Sequence, residues 1–345
     1  MVNMNRRTFL AAGIGVSLMP ASARRTRRLR IGVLGAFHPH AEEKIRLLAE
    51  SPDWELIGIC EDDEQVRQRY AVSGVRFLSR ETLFSESEAV VVESDVALHA
   101  EHGKAVLEAG KHLHLEKPPA TDLEGIRRLV EIARSRRLHL QIGYMWRYHP
   151  GINLAIQAAR QGWLGDVYLI RGTINNQLPV RRRSEWGRFA GGVMFDLGSH
   201  LVDAIVRLMG TPRAVQSFLQ THDASRDGLA DNTVAVLEYD RAMAVISAAT
   251  LQPNSRQHRY FEVLGTRGTA SVRPLEPPEM MLDLEQAAGP YAAGITRVKL
   301  PTYQRYVDDL ADFARVIRDG GSLPVSFEQE LDVQKTLLKC AGMQI

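Results

Sequence analysis

Cysteine is almost absent from this 345-residue sequence. The two that occur, Cys60 and Cys340, are too few for a disulfide framework or for a zinc site built on cysteine ligands. An excess of one charge is also absent, because 43 lysines and arginines face 41 aspartates and glutamates and the formal net charge is +2. A nucleic-acid-binding domain would need a strong basic stripe, so we expect no nucleic-acid partner.

Long apolar runs are missing as well. The apolar stretch near the N-terminus is far shorter than the ~20 residues that a membrane-spanning helix needs. What is present is an ordinary globular composition, with 45% hydrophobic and 24% charged residues, which excludes a disordered chain and a membrane bundle. A chain of this length predicts two domains, and we expect a soluble enzyme.

The first 23 residues follow the order of an export signal. Arg6 and Arg7 precede an apolar stretch over 11–19, and small residues at 21–23 provide a cleavage site. This order predicts a signal peptide over 1–23 and a basic linker over 24–28, and the paired arginines indicate the twin-arginine export machinery, which carries folded proteins. We therefore expect a periplasmic or other extracytoplasmic protein with no stable membrane anchor after cleavage. The alternative is a basic N-terminus that happens to contain two arginines.

Between residues 29 and 149, short apolar strands alternate with amphipathic helices. The predicted strands cover 30–34, 55–60, 89–93, 112–115 and 139–143, and the predicted helices cover 41–49, 64–71, 97–109 and 123–134. The strands consist mainly of valine, isoleucine and leucine, as in a sheet that helices cover on both faces. This pattern predicts a Rossmann domain, a doubly wound parallel sheet, over 29–149.

The remainder, residues 150–345, has a different pattern. Strand-like runs are predicted at 167–175, 215–220, 233–239, 242–251, 260–265, 270–273 and 296–300, with helices at 152–160, 303–319 and 327–341. This spacing predicts a C-terminal α+β domain with an open, mainly antiparallel sheet, so the whole chain is of the α/β class. We expect this domain to bind substrate and to pair subunits into a homo-oligomer. The arginine-rich segment 181–183 is predicted to be a solvated loop rather than a substrate clamp.

The turn after the first predicted strand, residues 35–40 (GAFHPH), lies where a dinucleotide-binding fold has G-x-G-x-x-G. Gly35 matches the first glycine, whereas Phe37 and His40 stand at the other two. The turn still precedes a helix, whose N-terminal amides favour a phosphate. We therefore expect Gly35, Phe37, His38 and His40 to border a dinucleotide, with the two histidines either donating to the pyrophosphate or facing solvent.

An acidic residue, Glu61, follows the second predicted strand, 26 residues after Gly35. A carboxylate at this place accepts hydrogen bonds from the adenosine ribose and repels a 2′-phosphate. No lysine or arginine follows the strand directly. We therefore expect NAD as cofactor, with NADP less favoured; the alternative is an ordinary solvated acid at a strand end.

Three separated segments resemble signatures of the Gfo/Idh/MocA family, whose members include glucose–fructose oxidoreductase and inositol dehydrogenase. They are EKP at 116–118, GYMWRYHP at 143–150 and GGVMFDLGSHLVD at 191–203. Their order and spacing agree with the family over nearly the whole chain after the predicted signal. The sequence departs from the family at Phe37 and His40, where glycines are usual, and at 93–95, where members usually have Thr-Pro.

The resemblance implies that Lys117, Asp196 and His200 form the catalytic group. His200 would take the proton from a sugar hydroxyl as a hydride leaves its carbon, Lys117 would hold that hydroxyl, and Asp196 would orient the site. Residue chemistry agrees, because Asp196 and His200 are four apart and share one face of a helix. A neutral imidazole beside a lysine is also a suitable base. The alternative is a set of polar residues on a helix surface.

Further cofactor-binding candidates are Glu116, Arg147 and Trp186, together with Lys117, which could reach the nicotinamide ribose. Arg147 would contact cofactor or substrate. Trp186 would stack on a sugar or nicotinamide ring, unless it packs in the core. Asp203 is predicted to be structural, as a helix cap or in an ion pair.

Eleven histidines raise the question of a metal site. Pairs two or three residues apart are His38 and His40, His99 and His102, and His112 and His114. No acid or cysteine accompanies these pairs at a recognised ligand spacing, so we expect no metal.

Taken with the resemblance, the sequence predicts an NAD(P)-dependent oxidoreductase that acts on a CH–OH group of a small carbohydrate, polyol or glycoside. Export in the folded state suggests that the cofactor is loaded beforehand and retained. One alternative is an NAD-dependent glycosidase or lyase of the same family. Another is a non-catalytic sugar- or nucleotide-binding protein, which the incomplete glycine motif favours and the intact Lys117, Asp196 and His200 oppose.

Overall fold

A computed structural model of the protein describes residues 27–71, 74–222 and 227–345. The predicted signal peptide and the first residues of the predicted basic linker lie outside these ranges. Within them, no helix is both long enough and apolar enough to cross a membrane.

The N-terminal half forms a parallel, Rossmann-like sheet, as predicted. Its five strands lie in the order β2-β1-β3-β4-β5 and pair in parallel throughout. Strand β3 (AVVV) is buried along its whole length, as expected where helices cover both faces. The elements are β1 (Leu29–Leu34), α1 (Ala41–Glu50), β2 (Trp54–Cys60), α2 (Glu64–Tyr70), α3 (Arg80–Glu86), β3 (Ala89–Val92), α4 (His99–Glu108), β4 (His112–Leu115), α5 (Leu123–Arg136) and β5 (Leu140–Ile142).

A glycine or a charged residue follows the last residue of four neighbouring strands in this sheet. Gly35 follows β1, Glu61 follows β2, Glu93 follows β3, and Glu116 with Lys117 follows β4. Because parallel strands all end at the same edge, these residues meet at the edge where such folds bind ligands.

The C-terminal half contains an eight-stranded sheet in the order β13-β12-β11-β10-β6-β9-β8-β7. Strands β6 and β9 pair in parallel, and the other neighbours pair antiparallel, as predicted for a mainly antiparallel sheet. The elements are α6 (Pro150–Arg160), β6 (Val167–Thr173), α7 (Val180–Gly187), α8 (Ser199–Met209), β7 (Ala214–Gln220), β8 (Asn232–Glu238), β9 (Met243–Ala249), β10 (Tyr260–Gly265), β11 (Gly268–Val272), β12 (Met280–Leu284), β13 (Gly294–Val298), α9 (Val307–Asp319) and α10 (Phe327–Cys340).

One face of this second sheet is covered and the other is open. Helices α6, α8 and α10 pack on the covered face, where alternate residues such as Ala244, Ile246 and Ala248 of β9 are buried. The open face carries large apolar side chains, among them Phe218, Met243, Met281 and Ile295, which are 55%, 52%, 38% and 69% exposed. This face therefore exposes several large apolar side chains to water, interspersed with charged ones such as Arg171 and Glu262.

The last helices return to the first domain. Phe313 of α9 packs on Trp54 and His114 of the parallel sheet, with ring centroids 5.7 and 5.9 Å apart, and Trp54 Nε1 donates to the Leu310 carbonyl. Although the sequence assigns residues 150–345 to one domain, α9 thus covers part of the first sheet.

Two short elements, α3 and β12, are absent from the sequence prediction, and the segment 181–183 is helical rather than a loop. The solvated-loop prediction is therefore wrong, because residues 180–187 form α7. Within it, Arg183 is buried and pairs with Asp227 and Asp231. That partnership depends on residues more than forty positions away along the chain, which local sequence does not show.

Candidate active site

A cavity of about 300 Å³ lies between the ligand-binding edge of the first sheet and the second domain. Its lining includes the three predicted catalytic residues, Lys117, Asp196 and His200, together with Trp146 and Trp186. Lys117 comes from the end of β4, whereas Asp196 lies in a π-helical turn (Met194–Gly198) that leads into α8, which carries His200. The structure therefore brings all three residues together, although 79 positions separate Lys117 from Asp196.

Lys117 and Asp196 form an ion pair within this cavity, with 2.6 Å between Nζ and Oδ1. Their side chains are 3% and 14% exposed, so little water competes with the contact. The pair fixes the ammonium group, and Asp196 accordingly orients Lys117.

His200 is held as a neutral imidazole. Its side chain is buried, and its ring packs against those of Trp146 and Tyr144, with centroids 5.0 and 6.0 Å away. Burial lowers the pKa of His200 well below its ordinary value, and the Lys117 cation lowers the pKa further. Nδ1 is enclosed without a hydrogen-bond partner among the described residues, which leaves Nε2 as the nitrogen to face the cavity.

A second cavity, of about 310 Å³, borders the first three strand ends of the sheet. Gly35 has φ of +73° there, and a Cβ on it would come within 2.6 Å of the Ser94 backbone, so only glycine fits. Glu61 accepts hydrogen bonds from the backbone N–H groups of Ala36, at 2.7 Å, and Asp63, at 2.9 Å. Its carboxylate is thereby fixed at the cavity wall.

These residues fit the adenosine end of a dinucleotide better than the pyrophosphate end. Phe37 lines the second cavity, which matches a binding role, but its side chain takes space that a glycine would leave open. His40 is the N-cap residue of α1 and makes no side-chain bond to that helix. Two buried polar atoms, Ser94 Oγ beside this cavity and His38 Nε2 beside the cavity that contains Lys117, have no partner among the described residues, as expected where a polar ligand binds.

Glu116 lines neither of these two cavities, and its predicted contact with the cofactor stays a prediction. Its carboxylate is fully buried and binds Lys44 Nζ at 2.5 Å and His40 Nδ1 at 3.1 Å. Lys44 also contacts Glu93 at 2.6 Å and His114 Nε2 at 3.1 Å. Glu116 is therefore a positioning residue for its neighbours.

Lys44 is a member of this cluster that the sequence analysis missed. It lies on the buried face of α1, with Ala41, Ile45 and Leu48. This three- and four-residue spacing is visible in the sequence, so a lysine within an otherwise apolar stripe is the signal that could have revealed it.

The described residues that could hold a metal ion are His38, His40 and Glu116, whose ligand atoms lie within 4.8 Å of one another. The sequence analysis found no acid close to the two histidines along the chain. In the folded structure this reasoning is wrong, because Glu116, which follows β4, lies beside both histidines. Burial lowers the pKa values of His38 and His40, so both are neutral, as metal ligands must be. The ammonium group of Lys44 on Glu116 opposes a second cation there.

Arg147 does not line the cavity beside Lys117, and its prediction as a ligand contact is not supported. The guanidinium is buried and binds Asp203 at 2.7 Å and Glu330 at 2.6 Å. Both carboxylates raise its pKa. The ion pair predicted for Asp203 is confirmed, and Arg147 ties the turn after β5 to α8 and α10.

Trp186 combines the two alternatives that the sequence left open. It lines the cavity beside Lys117, it is 7% exposed, and its ring packs on Phe189 with centroids 6.1 Å apart. Four arginines line the same cavity; the sequence analysis assigned one of them, Arg182, to a solvated loop and missed the other three, and no spacing in the sequence connects them. They are Arg182, Arg256, Arg259 and Arg305.

Two family profiles match the chain in succession. Residues 29–144 match the oxidoreductase family with an NAD-binding Rossmann fold, and residues 152–271 match the GFO/IDH/MocA C-terminal domain. The chain is 24% identical over 320 residues to an uncharacterized oxidoreductase of Rhizobium meliloti, covering 90% of this chain and 95% of that protein. It is 25% identical over 306 residues to dTDP-3,4-didehydro-2,6-dideoxy-alpha-D-glucose 3-reductase of Streptomyces violaceoruber, covering 86% and 87%.

Solved structures share the fold. UDP-N-acetylglucosamine 3-dehydrogenase GnnA of Acidithiobacillus ferrooxidans has a TM-score of 0.76 at 22% identity, covering 92% of this chain and 98% of that one. The WlbA dehydrogenase of Bordetella pertussis, solved with NADH and UDP-GlcNAcA, has a TM-score of 0.73 at 23% identity, covering 91% and 95%. With both profiles in order along one chain, this protein belongs to the GFO/IDH/MocA family of oxidoreductases and contains its NAD-binding Rossmann domain.

Proposed function

We propose that this protein is a dehydrogenase that oxidises a secondary hydroxyl group of a carbohydrate with NAD as cofactor. The observation that carries the proposal is that Lys117, Asp196 and His200 line one cavity at the ligand-binding edge of the sheet. Relatives that act on sugar nucleotides, such as the Streptomyces 3-reductase, support a carbohydrate substrate.

The chemistry that the bound cofactor supplies is acceptance of a hydride from the carbinol carbon. His200 takes the hydroxyl proton at Nε2, because burial and Lys117 keep the imidazole neutral and able to accept it. Lys117 donates a hydrogen bond to the same oxygen and stabilises the negative charge that develops there. Asp196 keeps Lys117 in place, and the rings of Trp146 and Trp186 exclude water from the cavity.

The preference for NAD over NADP rests on the second cavity. Glu61 stands at the end of β2 with Asp62 and Asp63 beside it, and this acidic group disfavours a 2′-phosphate. Arg80 at the start of α3 reaches the same cavity, but it lies 3.8 Å from Asp62. Its charge is thus partly offset by an acid of the same group.

We also propose that the protein is exported and keeps its cofactor between turnovers. The arginine pair at positions 6 and 7 supports export of the folded protein. Outside the cytoplasm there is no obvious pool of nicotinamide cofactor, so an enzyme that released NADH would stop after one turnover. Retention allows a second substrate to re-oxidise the cofactor on the protein.

A homo-oligomer joined through the open face of the second sheet forms part of the same proposal. Burial of that face would remove Phe218, Met243, Met281 and Ile295 from water, and aromatic and methionine side chains are enriched at such interfaces.

The test is to denature protein that was exported with its own signal and to identify released nucleotide by absorbance and mass. Near-stoichiometric NAD, followed by turnover with pairs of sugars, would support the proposal. Freely exchanging NAD would contradict retention alone. A protein that contains no nucleotide and binds neither added NAD nor NADP would contradict the enzyme proposal and favour a binding protein.

A further inference from the structure

The cavity beside Lys117 and His200 carries more positive than negative charge. Besides Lys117, four arginines line it, and Asp196 is the one carboxylate in its described lining. A neighbouring cavity of about 630 Å³ shares Arg256 and Arg305 with it and adds Glu276 and Glu43. The arginines come from α7, from the segment before β10 and from the segment before α9, so three parts of the second domain converge here.

Ion pairs account for only part of this charge. Asp196 neutralises Lys117, Glu276 binds Arg305 through two hydrogen bonds, and Glu185 binds Arg182 at 3.0 Å. These pairs leave two guanidinium groups without a carboxylate of their own.

The two remaining groups are Arg256 and Arg259. Arg256 is exposed at the cavity mouth and has no ion-pair partner in the described part of the chain. Arg259 is 6% exposed, and its Nη1 lies 3.6 Å from Glu276, which Arg305 already engages. Burial, together with the nearby charges of Arg305 and Arg256, lowers the pKa of Arg259 to about 10 against the opposing effect of Glu276. A buried guanidinium group that shares one carboxylate with another arginine lowers the stability of the fold. Such a group therefore favours an anionic ligand.

We propose that the substrate carries an anionic group, a carboxylate or a phosphate, that Arg256 and Arg259 bind. The inference rests on the proposed dehydrogenase function, because it treats this cavity as the place of the reacting sugar. Lys117 and His200 would hold the hydroxyl group while the arginines hold the acidic group, as in a uronic acid or a sugar phosphate. Planar guanidinium groups suit both anions because they can donate two parallel hydrogen bonds.

The adenosine part of the cofactor has a different place. Gly35, Phe37 and Glu61 border a second cavity, with no residue in common between its described lining and that of the arginine-lined one, whereas His38 and His40 from the same turn line the arginine-lined cavity. The arginines therefore lie apart from the adenosine part of a dinucleotide, and we assign Arg256 and Arg259 to the substrate.

The experiment compares sugars that differ only in the acidic group, with calorimetric binding as the main readout and turnover as the second. The probes are glucose, glucuronate and glucose 6-phosphate, and the corresponding galactose and mannose sets. We expect one acidic member to bind about 10- to 100-fold more tightly than its neutral counterpart, the range for charge-assisted hydrogen bonds. Whether the carboxylate or the phosphate member binds identifies the source of the anion.

Two variants and one control complete the test. Arg256→Gln is exposed and can be made without disturbing the core, and Arg259→Lys retains charge while losing the planar fork. Each is expected to reduce the preference for the acidic sugar at least about tenfold. Arg241→Gln removes the same charge from an 83% exposed site that pairs with Asp166, and it should leave the preference unchanged.

The possible failures are distinguishable. If neutral and acidic members of a set bind equally well, or if Arg256→Gln and Arg241→Gln behave alike, the anion site is wrong while the dehydrogenase proposal stands. If no sugar binds or reacts with either cofactor present, the proposed function itself is wrong and the anion site falls with it.

Discussion

Lys117 and Asp196 join the two halves of the molecule through an ion pair 2.6 Å long. One residue follows a strand of the parallel sheet, and the other lies in the turn that leads into α8. The candidate active site is therefore complete only when both domains are in place, and the ammonium group, once paired, also lowers the pKa of His200.

Replacement of Lys117 tests this arrangement. Lys117→Ala should reduce kcat at least about 100-fold, since it removes a donor to the reacting oxygen. It should also raise the pKa of His200, because the lysine charge lowers that pKa, so the acid limb of the residual pH–rate profile should move to higher pH. NAD binding and circular dichroism should change little. Lys104→Ala, at an exposed lysine paired with Glu108, is the control, and equal activity of both variants would contradict the catalytic role.

The cofactor preference can be measured with two variants of the second cavity. Glu61→Ala should lower the ratio of kcat/KM for NAD to kcat/KM for NADP by about tenfold, because a carboxylate that accepts ribose hydrogen bonds is lost. Arg80→Ala should leave NAD kinetics nearly unchanged. A large loss of NADP-dependent activity in Arg80→Ala, with little effect of Glu61→Ala, would show that the protein prefers NADP.

Stability should depend strongly on the buried lysine of α1. Lys44→Met leaves Glu93 and Glu116 without their shared cation, and unfolding free energy should fall by about 3–5 kcal/mol in urea titrations at pH 7. Lys104→Met makes the same chemical change at an exposed site and should have little effect. Similar denaturation midpoints for the two variants would contradict a structural role for the cluster.

The pH dependence of stability should reflect buried histidines. Burial lowers the pKa of His114 to about 3, so in acid the unfolded chain takes up a proton that the folded one does not. The stability that the neutral His114 contributes is therefore present above pH 6.5. It is lost as the pH falls toward 3, at up to about 1.4 kcal/mol per pH unit. Other histidines with lowered pKa values act alike, among them His38, His99, His112 and His200.

Two acids oppose this trend. The pKa of Glu93 is raised to about 8 and that of Asp309 to about 6, so the folded state binds their protons more readily and gains stability as the pH falls. The histidines are more numerous, and we therefore expect a net loss of stability from pH 7 to pH 5 in urea titrations. His114→Asn should flatten that loss; an unchanged slope would show that His114 titrates normally.

The open sheet face predicts the oligomeric state. Phe218→Asp and Met243→Asp should convert an oligomer to smaller species in size-exclusion chromatography with light scattering, because each introduces a charge into an apolar interface. Ile345→Asp, at an exposed position outside the sheet, is the control. A wild-type monomer would contradict the proposal directly.

Much of the fold could be predicted because strands and helices leave patterns in short, continuous stretches of sequence. Apolar runs and helical spacing identified the parallel sheet, and the sequence motifs located Lys117, Asp196 and His200. Short elements without a long periodic pattern, such as α3 and β12, were missed. So was the role of Arg147, because its partner Glu330 is 183 positions away.

The positive charge of the cavity could not be predicted from the sequence either. Arg182 and Arg259 line the same cavity although they belong to different segments of the second domain. A count of charges gives nearly zero for the whole chain and cannot show that cations gather at one place. Such a concentration of charge depends on which side of each element faces the cleft.

The parallel pairing of β6 with β9 has a consequence for how the protein acquires activity. Two parallel neighbours require a long crossover, and here that connection contains Asp196, His200 and α8, which packs on both strands. Closing so long a loop is a non-local, entropically costly event. The candidate catalytic residues Asp196 and His200 thus lie in a non-local connection, so we expect the site to form only after the second domain has folded.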